Sequence, residues 1–251
     1  MIPEKIHYCW FGGNPLPELA QKCIASWQKF LPDYEIIRWD ESNYDVNKIP
    51  YIREAYAAKK YAFVSDYARF DILYHHGGLY FDTDVEIVKD MTNIIAEGSF
   101  MGCESREANN LINSGLGLGA TQGLPVIKEI LEDYHQRHFL KEDGSYDYTT
   151  IVDIVSEIFK KYGFESQEQK IQKIANTTIY PAEFFAPKNY ITNKTSITPN
   201  TYSIHHYDGS WVPLKAKTSK FFSLFAMKLI GTEHTLRLKK LIKKVLSRFI
   251  K

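Results

Sequence analysis

Cysteine is scarce in this 251-residue chain. The three present, Cys9, Cys23 and Cys103, are far apart and lack metal-ligand spacing. That excludes a disulfide framework and fits a reducing compartment. Long apolar runs are missing, and no stretch is long enough to span a bilayer. The opening Met1-Ile2-Pro3-Glu4-Lys5 lacks the basic-then-apolar order of a signal peptide. No charge sign dominates: the formal net charge is +1, so the molecule as a whole carries no nucleic-acid signature. Neither Gly-Xaa-Gly-Xaa-Xaa-Gly nor a Walker-type lysine loop occurs, which argues against dinucleotide and P-loop chemistry. Internal repeats and low-complexity linkers are also absent.

What remains is the composition of a globular protein, 44% apolar and 24% charged, of a length that suits one large domain with an appendage. Aromatics are plentiful, with 17 Tyr, 15 Phe and 4 Trp. Sugar and base sites use such rings, but so do ordinary cores. Charge is unevenly placed. Leu236 to Lys251 holds seven basic residues and no acidic one, leaving 24 Lys and Arg against 30 Asp and Glu elsewhere, a net of −6. Leu238, Leu241, Ile242, Val245, Leu246 and Phe249 follow helical spacing there, with Lys239, Lys240, Lys243, Lys244 and Arg248 mostly opposite. A basic amphipathic helix of this kind either lies on an anionic membrane or packs on its own domain. The division expected is a catalytic domain over 1–230 and a basic amphipathic helix over 231–251.

Strands are expected at Lys5–Phe11, Tyr34–Trp39, Phe100–Cys103 and Leu116–Leu118. Helices are expected at Pro17–Phe30, Lys60–His76, Leu124–His138 and Tyr148–Tyr162. Thr177–Tyr207 reads as strand-like and rich in Pro and Asn. Strand–helix alternation in the first half implies an α/β sandwich with parallel strands. In such sheets ligands sit at the carboxyl ends of strands.

The densest chemistry is Gly77-Gly78-Leu79-Tyr80-Phe81-Asp82-Thr83-Asp84. A Gly-Gly turn ends a helix and enters a short strand whose i, i+2 spacing puts Asp82 and Asp84 on one side. Two hard anionic oxygens at a strand end suit a divalent cation that also holds phosphate. Taken alone, the bare pattern is short and common and reads first as a surface turn with two solvated aspartates. Ser65, Asp66 and Arg69 lie on the preceding helix, where Arg69 could pair with either aspartate and Asp66 could accept from ribose hydroxyls; the plain alternative is an intrahelical ion pair. His205-His206-Tyr207-Asp208-Gly209-Ser210-Trp211 offers an imidazole for a carboxylate metal site, with Ser210 and Trp211 as phosphate donors. It also reads as a strand with one core and one surface histidine. Asn113-Ser114-Gly115 offers an amide able to bridge hydroxyls, and Glu104 and Arg106 are further polar groups nearby in sequence.

These blocks, in this order and covering most of residues 2–211, resemble glycosyltransferase family 32. They are Ile6-His7-Tyr8-Cys9-Trp10-Phe11-Gly12-Gly13, Ser65-Asp66-Tyr67-Ala68-Arg69, the Asp-Xaa-Asp run, and His205-His206 with Ser210-Trp211. The resemblance implies a GT-A fold, a nucleotide-sugar donor, a Mn²⁺ or Mg²⁺ ion, and retention of anomeric configuration. It also implies roles. Trp10, with Tyr8 on the same strand, would lie by the base. Ser65 and Asp66 would lie on the ribose side. Arg69 would touch the donor sugar and the aspartates; Asn113 is a further catalytic candidate on its amide chemistry alone. Asp82 would meet ribose and metal, and Asp84 and His206 would ligate the metal. Ser210 and Trp211 would hold the departing diphosphate. No dedicated nucleophilic Asp or Glu stands out, so front-face substitution is expected.

The expected activity is transfer of a hexose or N-acetylhexosamine, from a UDP-sugar foremost, to a lipid-linked or lipid-core glycan in bacterial capsule, O-antigen or lipooligosaccharide synthesis. The expected location is the inner face of the plasma membrane. A phosphohydrolase of the haloacid dehalogenase type also starts from Asp-Xaa-Asp, but it wants Thr or Val where this chain has Glu86. A non-catalytic sugar- or membrane-binding module would not need Arg69, a metal pair and a distant histidine together.

Overall fold

The computed structural model describes residues 1–106, 109–189 and 192–209. The chain divides into two compact units, residues 1–188 with 196–208, and residues 189–195 with 209–251. The regular elements described here all belong to the first. The basic stretch from Leu236 lies outside the described residues, as do Ser210 and Trp211.

A seven-stranded mixed sheet runs β2 (Glu35–Trp39), β1 (Lys5–Cys9), β3 (Gly78–Tyr80), β6 (Asn109–Ala120), β5 (Phe100–Arg106), β8 (Thr177–Tyr180) and β7 (Gln172–Ile174). β1 is parallel to β2 and β3, and β5 to β8; the other three pairings are antiparallel. The α/β class is as expected, while parallel pairing holds between β1, β2 and β3 and between β5 and β8, where helices intervene along the chain, and not across the whole sheet. The two strands expected at Phe100–Cys103 and Leu116–Leu118 are arms of one longer hairpin, which hydrogen bonding between neighbours makes antiparallel.

Side chains alternate across the sheet. Leu79 and Phe81 enter one core with Ile6, Tyr8 and Trp27, whereas Tyr80 enters the other with Cys9, Phe70 and Leu118. Helices α2 (Pro50–Ala57), α3 (Tyr61–His76), α5 (Pro125–His135) and α6 (Ile151–Lys161) contribute to the second core. Helices α1 (Glu18–Phe30), α4 (Thr92–Ala96) and α7 (Ala182–Phe185) contribute to the first. Trp27 of α1 is fully buried, and its indole N–H donates to the Val85 carbonyl at 2.7 Å.

Two local features aim the site. Gly77 ends α3 at φ 63°, which a side chain rarely adopts, and its N–H closes on the Leu73 carbonyl. The hairpin carries the second. Met101 pairs with Leu118 and the next residue, Gly102, with Asn113, so Ser114–Gly117 are extra on β6. This bulge thrusts Ser114 and Gly115 out of the ladder toward α3 and the end of β3. A small second sheet, β4 (Val85–Ile87) antiparallel to β9 (Ser203–His205), sets His205 opposite Val85.

Candidate active site

Asp82 and Asp84 lie beyond the end of β3, and a turn closed by Val85 N–H on the Asp82 carbonyl at 3.0 Å brings them together. The i, i+2 spacing of an extended strand is therefore not what juxtaposes them; the turn is. The Asp82 N–H donates to the Gly115 carbonyl at 3.0 Å, which ties the turn to the bulge. A Cβ on Gly115 would sit 1.9 Å from Asp82 Oδ2 and 2.9 Å from Arg69 Nη1, so only glycine fits there.

Arg69 is almost wholly buried, its side chain 4% exposed. Its Nη2 lies 2.8 Å from Asp66 Oδ1 and 3.2 Å from Asp82 Oδ1, Nε donates to the Ser65 carbonyl at 3.1 Å, and Nη1 to Ser114 Oγ at 3.4 Å. The guanidinium stands 4.9 Å over the Tyr80 ring, and the Tyr80 hydroxyl donates to Asp82 Oδ1 at 3.2 Å. The intrahelical pair and the bridge to the Asp-Xaa-Asp turn thus both exist, on one guanidinium. Burial pushes the Asp66 carboxyl up to about 7; Arg69 opposes that shift and Asp82 adds to it.

The buried His205 and the half-buried Asp84 form an ion pair, Nε2 to Oδ1 at 3.1 Å. Burial alone would raise the Asp84 carboxyl, but His205 and the N–H of Asp208, 2.9 Å from Oδ2, hold it well below the usual range. Burial opposes the charge on His205, and Asp84 outweighs it, so the imidazole titrates above its ordinary value. His205 Nδ1 is buried with no hydrogen-bond partner among the described residues.

His206 is placed elsewhere. Its Nε2 lies 2.8 Å from Glu86 Oε2, and Glu86 is paired with Lys22 at 3.1 Å. The histidine that the fold sets beside the aspartates is His205, because β9 pairs it with Val85 and alternation turns its neighbour away.

Among the described residues Asp82, Asp84 and His205 offer ligand atoms all within 4.8 Å of one another. Two carboxylates and an imidazole are a donor set for Mn²⁺-like ions. The surroundings add an acidic group: Glu104 is buried and contributes to the field at His205. The residues therefore fit a divalent cation.

Asn113 is oriented from both ends. Its Nδ2 donates to Glu104 Oε2 at 2.7 Å, and its Oδ1 accepts from the Gly115 N–H at 2.8 Å. Ser65 Oγ caps back to the Tyr61 carbonyl at 3.1 Å, half-buried. Trp10 is half-buried, its indole N–H donating to the Asn14 carbonyl at 2.6 Å beside the Gly12-Gly13 turn. Tyr8 packs edge-on to Trp27 at 5.8 Å and is 7% exposed, so most of its ring serves the core.

Two residues escaped sequence reasoning. His7 is fully buried in β1, accepting from the Trp39 indole at Nδ1 (3.0 Å) and facing the Gly77 carbonyl with Nε2 (3.0 Å). Lys188 sets its ammonium 2.7 Å from the His206 carbonyl, next to Asp84. His7 lies inside the first motif block but was given no role there, and no motif marks Lys188; both depend on contacts between separate segments, His7 with Trp39 and Gly77 and Lys188 with His206.

Residues 1–223 match a family described as capsular polysaccharide synthesis protein. An uncharacterized glycosyltransferase of Acanthamoeba polyphaga mimivirus is 25% identical over 223 residues, 85% of each chain. Inositol phosphoceramide mannosyltransferase 1 of Schizosaccharomyces pombe is 27% identical over 177 residues, 65% of this chain and 51% of that one. The chain thus spans about half the length of the fungal protein. Among solved structures, the PaToxG glycosyltransferase aligns at a TM-score of 0.48 with 18% identity, over 64% of this chain and 69% of its own. The galactosyltransferase LgtC, solved with donor and acceptor sugar analogs, aligns at 0.43 with 14% identity, over 88% and 96%. At those scores the overall likeness is distant.

Proposed function

The chain belongs to the capsular polysaccharide synthesis protein family and is a glycosyltransferase of the family-32 type; from that premise we propose the reaction it runs. It moves a hexose or N-acetylhexosamine from a nucleotide-sugar, a UDP-sugar foremost, to a glycan acceptor of bacterial surface polysaccharide. It does so in a GT-A scaffold, with a divalent metal and with retention. The observation that carries this reading is the convergence of Asp82, Asp84 and His205, with Arg69 clamped on Asp82.

The chemistry required is cleavage of the bond between the anomeric carbon and a phosphate oxygen, which builds negative charge on the leaving diphosphate. A bound Mn²⁺ or Mg²⁺ supplies Lewis-acid stabilisation of that charge. Asp82, Asp84 and His205 would hold it. The residues of the chain do the rest by position. Arg69, fixed by Asp66, the Ser65 carbonyl and Ser114, holds the Asp82 carboxylate in place. Ser65, Asp66, Tyr8 and Trp10 would serve the ribose and base side, and Ser210 and Trp211, which lie outside the described residues, are assigned by sequence to the diphosphate. Asn113, held between Glu104 and Gly115, presents a fixed amide edge to the sugar. In front-face substitution the acceptor oxygen attacks from the side the diphosphate leaves, and the departing phosphate takes the acceptor proton.

No helix among the described residues is long and apolar enough to cross a membrane. The basic helix over 231–251 would bring the catalytic domain, 1–230, to the inner leaflet, where a lipid-linked acceptor resides. A direct test is calorimetry of UDP and GDP with Mn²⁺. Binding that disappears with chelator and in Asp84→Asn supports the site; metal-independent binding unaffected by Asp84→Asn would refute it.

A further inference from the structure

We propose that Lys188 is a catalytic residue that stabilises the departing diphosphate; this rests on the nucleotide-sugar reading above. Lys188 follows α7, whose Phe184 carbonyl accepts from the Tyr202 N–H at 2.8 Å and whose Phe184 ring stacks on Tyr202 at 6.1 Å. The stem is anchored, with Ala186 buried and the Pro187 carbonyl accepting from the Ser196 N–H at 3.0 Å. The half-buried ammonium is thus delivered to the turn after β9. There it donates to the His206 carbonyl at 2.7 Å, while the N–H of that same residue donates to the Asp84 carbonyl at 2.9 Å. The facing charges are Asp84 and Asp208.

Three features favour a phosphate partner over a purely structural one. The hydrogen bond goes to a neutral carbonyl, so the cation is not spent on a bidentate ion pair, and an ammonium has three donors. Partial burial weakens water's screening of that charge. Its neighbour Asp84 belongs to the candidate metal cluster, so a diphosphate drawn to that cluster arrives beside the ammonium. In the step itself the C1–O bond breaks with its electron pair going to the phosphate oxygen, the acceptor oxygen bonds C1, and the acceptor proton passes to the phosphate. Lys188 keeps all its protons and donates an N–H to an oxygen whose charge is growing. That interaction is stronger in the transition state than in the ground state.

The test compares Lys188→Met, Lys188→Gln and Lys188→Arg in the full chain with Mn²⁺. Donor hydrolysis in Lys188→Met is expected to fall in kcat by about 100-fold or more, with KM changed far less. By calorimetry, UDP affinity is expected to fall by about tenfold or more while UMP, which lacks the second phosphate, binds as to the wild type. Gln can still donate to the His206 carbonyl but carries no charge, so it should behave as Met does, and Arg should recover much of both losses. Recovery by Gln, or equal loss of UDP and UMP, would mean that Lys188 only braces the turn and would overturn the assignment. Wild-type kcat in Lys188→Met would overturn it too. Should Met fail to fold, Gln and Arg decide alone. If the wild type itself neither binds nucleotide with metal nor cleaves any donor, it is the nucleotide-sugar reading that fails.

Discussion

At the residue scale, Gly115 is the position where shape and chemistry are least separable. Its missing Cβ is what lets Asp82 approach Arg69. Gly115→Ala should abolish metal-dependent nucleotide binding, seen by calorimetry, while costing only about 1–3 kcal/mol of stability from overpacking. His7 is a test of burial within β1, where its ring meets Trp39 and the Gly77 carbonyl. Burial pulls its pKa from 6.5 down to about 4, and the Trp39 N–H at Nδ1 leaves no room for a second ring proton. The unfolded chain therefore binds a proton that the folded chain refuses. Stability is full above pH 6.5 and falls as the pH drops from there to about 4, by roughly 3 kcal/mol at 1.36 kcal/mol per unit. His7→Gln should flatten that part of the pH–stability curve in urea titrations; an unchanged slope would contradict it. Asp82, Asp84, Arg69 and Asp66 were legible in the sequence because two adjacent segments carry them. The choice between His205 and His206 was not, since it depends on which of two neighbours the strand turns inward. Glu104, Asn113 and Gly115 were visible as residue types but not as one chain of hydrogen bonds.

At the element scale, α6 is held at its start by a reciprocal cap. Thr150 Oγ1 accepts from the Asp153 N–H at 3.3 Å and donates to Asp153 Oδ2 at 2.6 Å. Thr150→Ala should cost about 1 kcal/mol, read as a lower urea midpoint with unchanged slope. The periodicity of 148–162 announces this helix, and α1, α3 and α5 were equally plain from apolar spacing. The short α2 and α4 gave too few turns for a periodic signal, although Pro50 opens α2. The hairpin was half seen, because its bulge breaks strict alternation: Ser114, Gly115 and Leu116 are all buried, so no period-2 pattern exists to find. The same irregularity delivers Gly115 to the site, so what obscured the strand is what the site needs.

At the scale of the whole molecule, the core and the α/β class follow from alternation and apolar content, but the strand order does not. It depends on which edges pair after residue 100, where the chain departs from a parallel arrangement. The amphipathic tail makes a prediction of its own. The full chain should float with anionic liposomes, and a chain ending near residue 230 should not; equal flotation would contradict the anchor. The central claim is that the Asp-Xaa-Asp turn runs metal-dependent glycosyl transfer. It is tested most directly by donor hydrolysis across UDP- and GDP-sugars with Mn²⁺ and with chelator, in the wild type and in Asp84→Asn. The expected result is slow cleavage of one donor that stops with chelator and falls by at least about 100-fold in Asp84→Asn. Cleavage that persists in Asp84→Asn with chelator present would contradict it.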